Sequence, residues 1–426
     1  MTRLRVLVAV FLLVGVVVLA PFLAVSSSAF ATSYTFTTID VGGQTQAQGI
    51  NDGGQITGYF SGHGFLRGTD GAITTFDVPS SFSTFAFGIN NAGQIVGQAQ
   101  LATTPSIVGF LRATNGTYTT FLVPGSSTTT AHGINTTGQI VGYFNDAGAH
   151  GFLESGGVFT TFVVPGENFG NTAARGINDP GQIVGTFNDL TLAPLPWPVG
   201  NTPRGFLFSG GVFTTIDVPG ASESFAYGIN AAGQIVGTFV DATGAHGFLR
   251  NTGGVFTTID VPGATHSEAW GINATGQIVG WFNDSTGTHG YLATPVNASP
   301  VCIAALAFPA VLGSPNHQFV PIVVMGVTDP DGDAVTITVT GVTQDEPVNA
   351  KGDGNTSPDA VIEAGAALVR AERSGKGDGR VYEVSFKADD GKGGSCTGKV
   401  TVGVPHSLGK GLTAIDDGQL YDSTVP

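Results

Sequence analysis

Between positions 32 and 297 the apolar residues fall into short runs of β-branched and aromatic side chains broken by glycine. FTTIDV-like stretches begin at Phe36, Ile73, Tyr118, Phe159, Phe213 and Phe256. This residue mix favours strands, and the Val-Pro-Gly that ends most copies stops them. Gly-Ile-Asn-x-x-Gly-Gln-Ile-Val-Gly predicts a hairpin, because Asn bonds its own backbone two residues on and Gly supplies the positive φ of the turn. A Gly followed by Phe-Leu or Tyr-Leu, at Phe65, Phe110, Phe152, Phe206, Phe248 and Tyr291, predicts a further strand. In QIVGYF, Ile56 and Phe60 face one way and Tyr59 the other. Both faces are apolar, as a sheet packed between two neighbours requires.

The motifs keep step with one another. The Asn of Gly-Ile-Asn stands at 51, 90, 135, 178, 230 and 273, with spacings of 39, 45, 43, 52 and 43 residues. A period of 40–50 residues with four short strands per unit points to a radial repeat architecture, the β-propeller. A β-solenoid would have shorter and more even coils. The expectation is an all-β chain with a six-bladed β-propeller. Glycines 58, 97, 142, 185, 237 and 280 should lie where backbones approach closely. The FTTIDV copy at Phe36 precedes the first Gly-Ile-Asn, and none follows Tyr291-Leu292. The set is complete in six whole units; if instead each blade ends at FTTIDV, the N-terminal strand must complete the last one.

The run AxGINxxGQIVGxFxDxxGxHGFLxxxGxFTTIDVPGA resembles the HAF-type extracellular repeat of bacterial proteins over about 260 residues. The elements matching its His-Ala-Phe signature are His63-Gly64-Phe65, His150-Gly151-Phe152, His246-Gly247-Phe248 and His289-Gly290-Tyr291. The resemblance implies an exported repeat protein and carries no catalytic set.

After Asn297-Ala298-Ser299-Pro300 the repeats stop and Lys appears. Runs such as FVPIVVMGV, AVTITVTGV, RVYEVSFKA and GKVTVGV predict an immunoglobulin-like β-sandwich. The stretches VTDPDGD and ADDGKGG are similar to those of an immunoglobulin-like or cadherin-like module of bacterial secreted proteins. Cys302 and Cys396, the two cysteines of the chain, stand near opposite ends of this region and predict a disulfide. Closing a loop of that length stabilises by roughly 4 to 5 kcal/mol in the chain-entropy model.

At the N-terminus Arg3 and Arg5 precede the apolar run Val6 to Val25 and then Ala29-Phe30-Ala31. This is the pattern of a cleaved secretory signal; an uncleaved anchor is the rival. The expected organisation is a signal peptide at 1–31, propeller at 32–297, immunoglobulin-like domain at 298–405 and tail at 406–426. The mature chain should be a secreted or surface monomer with no membrane span. Gly numbers 65 and charged residues make up 11%, a composition unlike disordered or coiled-coil chains. Residues 32–297 hold five Arg, no Lys and fifteen acids. That balance argues against nucleic acid, which needs clustered cations.

Catalytic signatures are sparse. Gly-x-Ser-x-Gly is absent. Asp40, Asp77, Asp217 and Asp260 recur at one FTTIDV position, but Leu122 and Val163 interrupt the set, so these acids are read as strand-edge or turn caps. The four His before Gly-Phe or Gly-Tyr are read as packing within their own blades. The segment Leu190 to Arg204 carries four prolines and Trp197; Trp197 and Arg204 are the candidate ligand-binding residues on a long loop. Asp329, Asp331, Asp333, Asp345, Asp389 and Asp390 are candidate Ca²⁺ ligands, since hard oxygen donors on several loops suit that ion. The resulting expectation is a non-enzymatic binding or adhesion protein for carbohydrate or protein. A polysaccharide-acting hydrolase and a structural surface spacer are the alternatives.

Overall fold

The computed structural model describes residues 33–425 except 103–106, 147, 166–170, 190–201, 314, 350–353, 355, 376 and 407–412. Every regular element among the described residues is a strand. No helix there is long and apolar enough to cross a membrane. The proposed signal segment 1–31 lies outside the described residues. The chain divides into two compact units at Ala298/Ser299.

The first unit is a β-propeller of six four-stranded antiparallel blades, the second and third joined into one eight-stranded sheet by a single parallel pair, Thr128 opposite Ile107. Blade 1 runs from an inner strand, Thr45–Ile50, through Ile56–Phe60 and His63–Arg67 to an outer strand, Ile73–Phe76. The inner strands of blades 2 to 6 are Ser81–Ile89, Thr128–Ile134, Ala173–Ile177, Glu223–Ile229 and His266–Ile272. Blade 6 takes its outer strand from the start of the chain: Tyr34–Ile39 pairs with Thr288–Pro295, from Tyr34 opposite Pro295 to Ile39 opposite Gly290. The blade boundary thus falls after FTTIDV, and both ends of the unit share one sheet.

Apolar layers between blades form the core. Val96 of blade 2 packs with Val123, Ala131, Ile134, Ile140 and Phe152, and Val279 of blade 6 packs with Ile50 and Ile56 of blade 1. The repeated strand glycine is needed for close approach. A Cβ on Gly185 would lie 2.1 Å from the Ala173 carbonyl oxygen and 2.7 Å from the Phe206 ring.

A circle of asparagines joins the blades. Asn51 Nδ2 donates to the Asn90 carbonyl at 3.1 Å, Asn90 to Asn135 at 3.1 Å and Asn135 to Asn178 at 3.4 Å. Asn178 donates to Asn230 at 3.0 Å, Asn230 to Asn273 at 3.1 Å, and Asn273 to Asn51 at 3.2 Å, which closes the ring. Each Asn also makes the hairpin turn: Asn51 Oδ1 accepts from Gln55 N at 2.9 Å, and Gly54, at φ +81°, returns its N–H to the Asn51 carbonyl.

The second unit is a sandwich of two four-stranded sheets. One contains Phe319–Met325 and Ala366–Arg370, the other Thr336–Gln344, Gly379–Asp389 and Ser395–Pro405. Their facing side chains, among them Ile322, Val369, Tyr382, Val384, Phe386 and Val402, form one core. Cys302 and Cys396 form the disulfide, with Cα atoms 6.0 Å apart.

Gly185→Val places two methyl groups where the Ala173 backbone and Phe206 ring already stand. The variant should lose about 1–3 kcal/mol, read as a lower urea midpoint with an unchanged slope. An unaltered midpoint would contradict the close approach.

Candidate functional site

One position of the motif Ala-x-Gly-Ile-Asn differs in every blade while the others repeat. In all six blades the pairing of the inner strand with its neighbour slips between that Ala and that Gly. The residue between them is the extra residue of a β-bulge, and a bulge re-aims its side chain. The six bulge residues are Gln48, Phe87, His132, Arg175, Tyr227 and Trp270, and all line one cavity of about 80 Å³. That is room for several waters at roughly 10–15 Å³ each. The six isoleucines that follow also line a second cavity, on the asparagine side, so an Ile layer divides the channel. The flanking Ala, Gly, Ile and Asn repeat in every blade, whereas the bulge residue differs in every blade.

Residues one pleat farther out extend this mouth. Trp270 Nε1 donates to Glu268 Oε2 at 2.8 Å, and His266 Nε2 lies 3.0 Å from Glu268 Oε1. The His266 ring stacks on Trp281 at 4.7 Å. Tyr59 donates its hydroxyl to Gln46 Oε1 and packs edge-on against Phe85.

His132 and Arg175 form the central polar pair. Arg175 Nη1 donates to His132 Nε2 at 2.6 Å. Burial first, and the Arg175 charge second, hold the imidazole well below its ordinary pKa, so it is neutral at pH 7. Its ring stacks on Phe87 at 4.3 Å and lies near-parallel to Trp270, 6.4 Å away. Tyr227 stacks on the Trp270 indole at 4.0 Å. Burial, reinforced by Glu268, raises both the Tyr227 phenol and that of Tyr59, the latter to about 12. Both phenols therefore donate rather than act as bases near neutral pH. Two buried polar atoms of cavity-lining residues lack a hydrogen-bond partner, Gln48 Oε1 and Arg175 Nε.

The residues singled out from sequence are placed differently. Trp197 lies outside the described residues. Arg204 is buried on the third strand of blade 4, with Nη1 3.2 Å from Asp217 and 3.1 Å from the Ser222 carbonyl. It is committed to its own blade. The recurrent acids are the partners of the recurrent histidines: Asp77 meets His63, Asp260 meets His246, and Asp40 meets His289 at 2.8–2.9 Å. The gaps follow from this. In blade 2, Leu122 packs with the cluster of Val108, an apolar pair in place of an ionic one. In blade 3, which has Val163, His150 turns to Asp146 instead.

In the sandwich unit, ligand atoms of Asp329, Asp331 and Asp333 lie within 4.8 Å of one another. Asp329 Oδ2 and Asp333 Oδ2 are buried without hydrogen-bond partners. Lys392 Nζ sits 2.6 Å from Asp333 Oδ1, which ties the Asp389-Asp390 loop to this turn. Asp390 Oδ1 accepts from Lys392 N and Gly394 N, and Asp389 pairs with Lys387 at 2.9 Å. Asp345 does not join them. Thr336 pairs with Asp389 while Gln344 pairs with Tyr382, so Asp345 lies at the far end of that strand, about 27 Å away at 3.3 Å per residue. There it accepts from Val381 N at 2.9 Å, beside a buried Arg380 that contacts Asp359, Glu372 and Glu346.

His132, Arg175 and Glu268 do not recur from blade to blade, so a reading based on repeated residues passes over them. The detectable signal was the reverse: six different residues at one position inside a constant frame.

No family model and no curated protein matches the chain. Solved structures do. A streptogramin B lyase structure covers 61% of this chain and 98% of its own, at 12% identity and TM-score 0.39. A virginiamycin B lyase from Staphylococcus aureus covers 62% and 100%, at 16% identity and TM-score 0.37. A putative gluconolactonase covers 63% and 94%, at 12% identity and TM-score 0.38. The likeness speaks to fold alone. The names these neighbours carry are those of enzymes, counter to the expectation of a non-enzymatic binding or adhesion protein; at these TM-scores they assign no activity to this chain.

The state of His132 makes stability depend on pH. Below about pH 6.5 the unfolded chain takes up a proton that the folded imidazole refuses. The contribution of the neutral ring is complete above that value and is lost as pH falls. Wild type should lose up to about 1.4 kcal/mol per pH unit relative to His132→Gln below pH 6.5. Urea denaturation of both proteins between about pH 7.5 and 5 reads this difference. Parallel curves would refute it.

Proposed function

We propose that the protein is an exported enzyme of hydrolase or lyase type, with its active site in the mouth lined by the six bulge residues. The observation that carries this is the His132–Arg175 pair, a neutral imidazole held by a guanidinium inside a ring of otherwise constant frame. At rest, Arg175 occupies the Nε2 lone pair. A substrate carbonyl or carboxylate oxygen that takes over this hydrogen bond frees Nε2 to accept a proton. That proton comes from water attacking the carbonyl, or from the carbon next to it. The guanidinium offsets the charge that develops on the oxygen. His132 then returns the proton to the leaving group. Tyr59 and Tyr227 stay protonated and serve as donors. A structural spacer would have no use for a ring that differs in every blade. The disulfide of the C-terminal unit and the resemblance to HAF-type extracellular repeats support export.

The test is turnover of carboxylic esters, lactones and uronate-containing polysaccharides by the full chain, with products read by mass spectrometry. His132→Gln and Arg175→Gln should each lower kcat/KM by about 10²–10⁴-fold. A chain that turns over none of these classes, or whose activity survives in His132→Gln, contradicts the proposal.

A second reading concerns the sandwich unit. We propose that Asp329, Asp331 and Asp333 bind Ca²⁺ in place of the Lys392 ammonium; the two partnerless buried oxygens support it. Extracellular modules bind the ion at about 0.1–1 mM. Millimolar Ca²⁺ should therefore raise Tm over chelator, and Asp333→Asn should reduce the rise. Identical melts end this reading.

A further inference from the structure

The same mouth specifies what enters it. We infer that it takes a flat aromatic carboxylate, with the ring between His132 and Trp270 and the carboxylate on Arg175. This inference rests on the mouth being the substrate site and adds the class of substrate.

The charge comes first. The five Arg of the propeller are its basic residues apart from His. Arg67, Arg112, Arg204 and Arg250 stand on third strands, and Arg175 alone stands on an inner strand. No carboxylate forms a salt bridge with Arg175 among the described residues. Its contacts are a neutral imidazole and the Tyr143 face, 5.3 Å away. A partly buried guanidinium in that position has its best partner in an anion with two oxygens, which it can bind through two parallel N–H bonds. Its orphaned Nε is one such donor. Glu268, held in place by Trp270 and His266, repels an anion from the blade 6 side. The carboxylate therefore has one orientation, toward blade 4.

The shape comes next. His132 in blade 3 and Trp270 in blade 6 face each other across the channel axis. Their ring centroids are 6.4 Å apart and their planes 23° from parallel. A flat ring between two plates needs about 7 Å, at 3.5 Å to each, so the two plates must part by roughly 0.6 Å or more to admit one. A puckered sugar is thicker and would need a wider gap. Phe87 stacks on the imidazole and Tyr227 stacks on the indole, so each plate is held by a second ring. A cavity of about 80 Å³ has no room for an extended chain. Gln48 is 4% exposed, and its Oε1 has no partner. It asks for a hydroxyl or N–H on the ligand.

The experiment is calorimetric titration of the full chain with 4-hydroxybenzoate, 4-hydroxybenzamide and 4-hydroxycyclohexanecarboxylate. The aromatic acid should bind at least tenfold more tightly than either comparison compound. Arg175→Gln should erase the preference for acid over amide. Trp270→Leu should erase the preference for the aromatic ring. Melting curves confirm that both variants fold; should Trp270→Leu fail, Trp270→Phe should retain the ring preference in reduced form. No saturable binding at millimolar ligand, equal binding of the cyclohexane acid, or an unchanged preference in Arg175→Gln overturns the inference. Turnover of non-aromatic esters that depends on His132, without this binding pattern, would overturn the ligand class and leave the enzyme reading standing. The binding pattern without any turnover would do the reverse.

Discussion

The circle of six asparagine side chains is the constraint on which the propeller depends. Each Asn amide makes the turn of its own hairpin and reaches the backbone carbonyl of the next blade. These groups are buried, at 2–4% exposure, where an unmade hydrogen bond costs about 1–3 kcal/mol. A ring of this kind is satisfied only when it is closed. The last bond, from Asn273 to Asn51, spans 222 residues, so the first and last blades must meet for any arrangement to satisfy every member. The first strand of the unit reinforces the same closure by pairing with the last.

From this constraint follows a division of labour along each inner strand. Asn sets the distance between blades. Ile fills the channel. Gly lets the next blade approach: a Cβ on Gly228 would lie 2.5 Å from the Trp270 carbonyl oxygen. Ala packs between blades with no exposure. Only the bulged residue is released from ladder pairing and from blade packing. Its side chain can change without disturbing the frame, and all six point toward one axis. Diversity is therefore concentrated where six strands converge, and a polar His–Arg pair and stacked rings meet there although they come from separate blades.

The outer parts of the blades show the complementary behaviour. His, Arg or Val on the third strand is matched by Asp or Leu on the fourth. These pairs are local exchanges of one satisfied contact for another. The His–Asp pairs are partly exposed to water and contribute little individually, while Arg204 and Val108 are buried within their blades. Their recurrence marks scaffold rather than chemistry.

Much of this architecture was written in the residue pattern. The period near 43 residues, the β-branched strands and the glycines of the turns all follow from rules that act over a few neighbouring residues. So did the Cys302–Cys396 bridge, because two cysteines offer one pairing. Three matters needed the folded chain. Whether Tyr34–Ile39 opens the first blade or finishes the last depends on a contact across the whole unit. Asp345 and Asp389 both sit beside strand ends, but antiparallel register decides which end, and it separated them. The channel residues were hidden because a bulge is a feature of pairing between two strands, invisible in the alternation of one. His132 and Trp270 are 138 positions apart in sequence, and only closure of the ring sets them face to face.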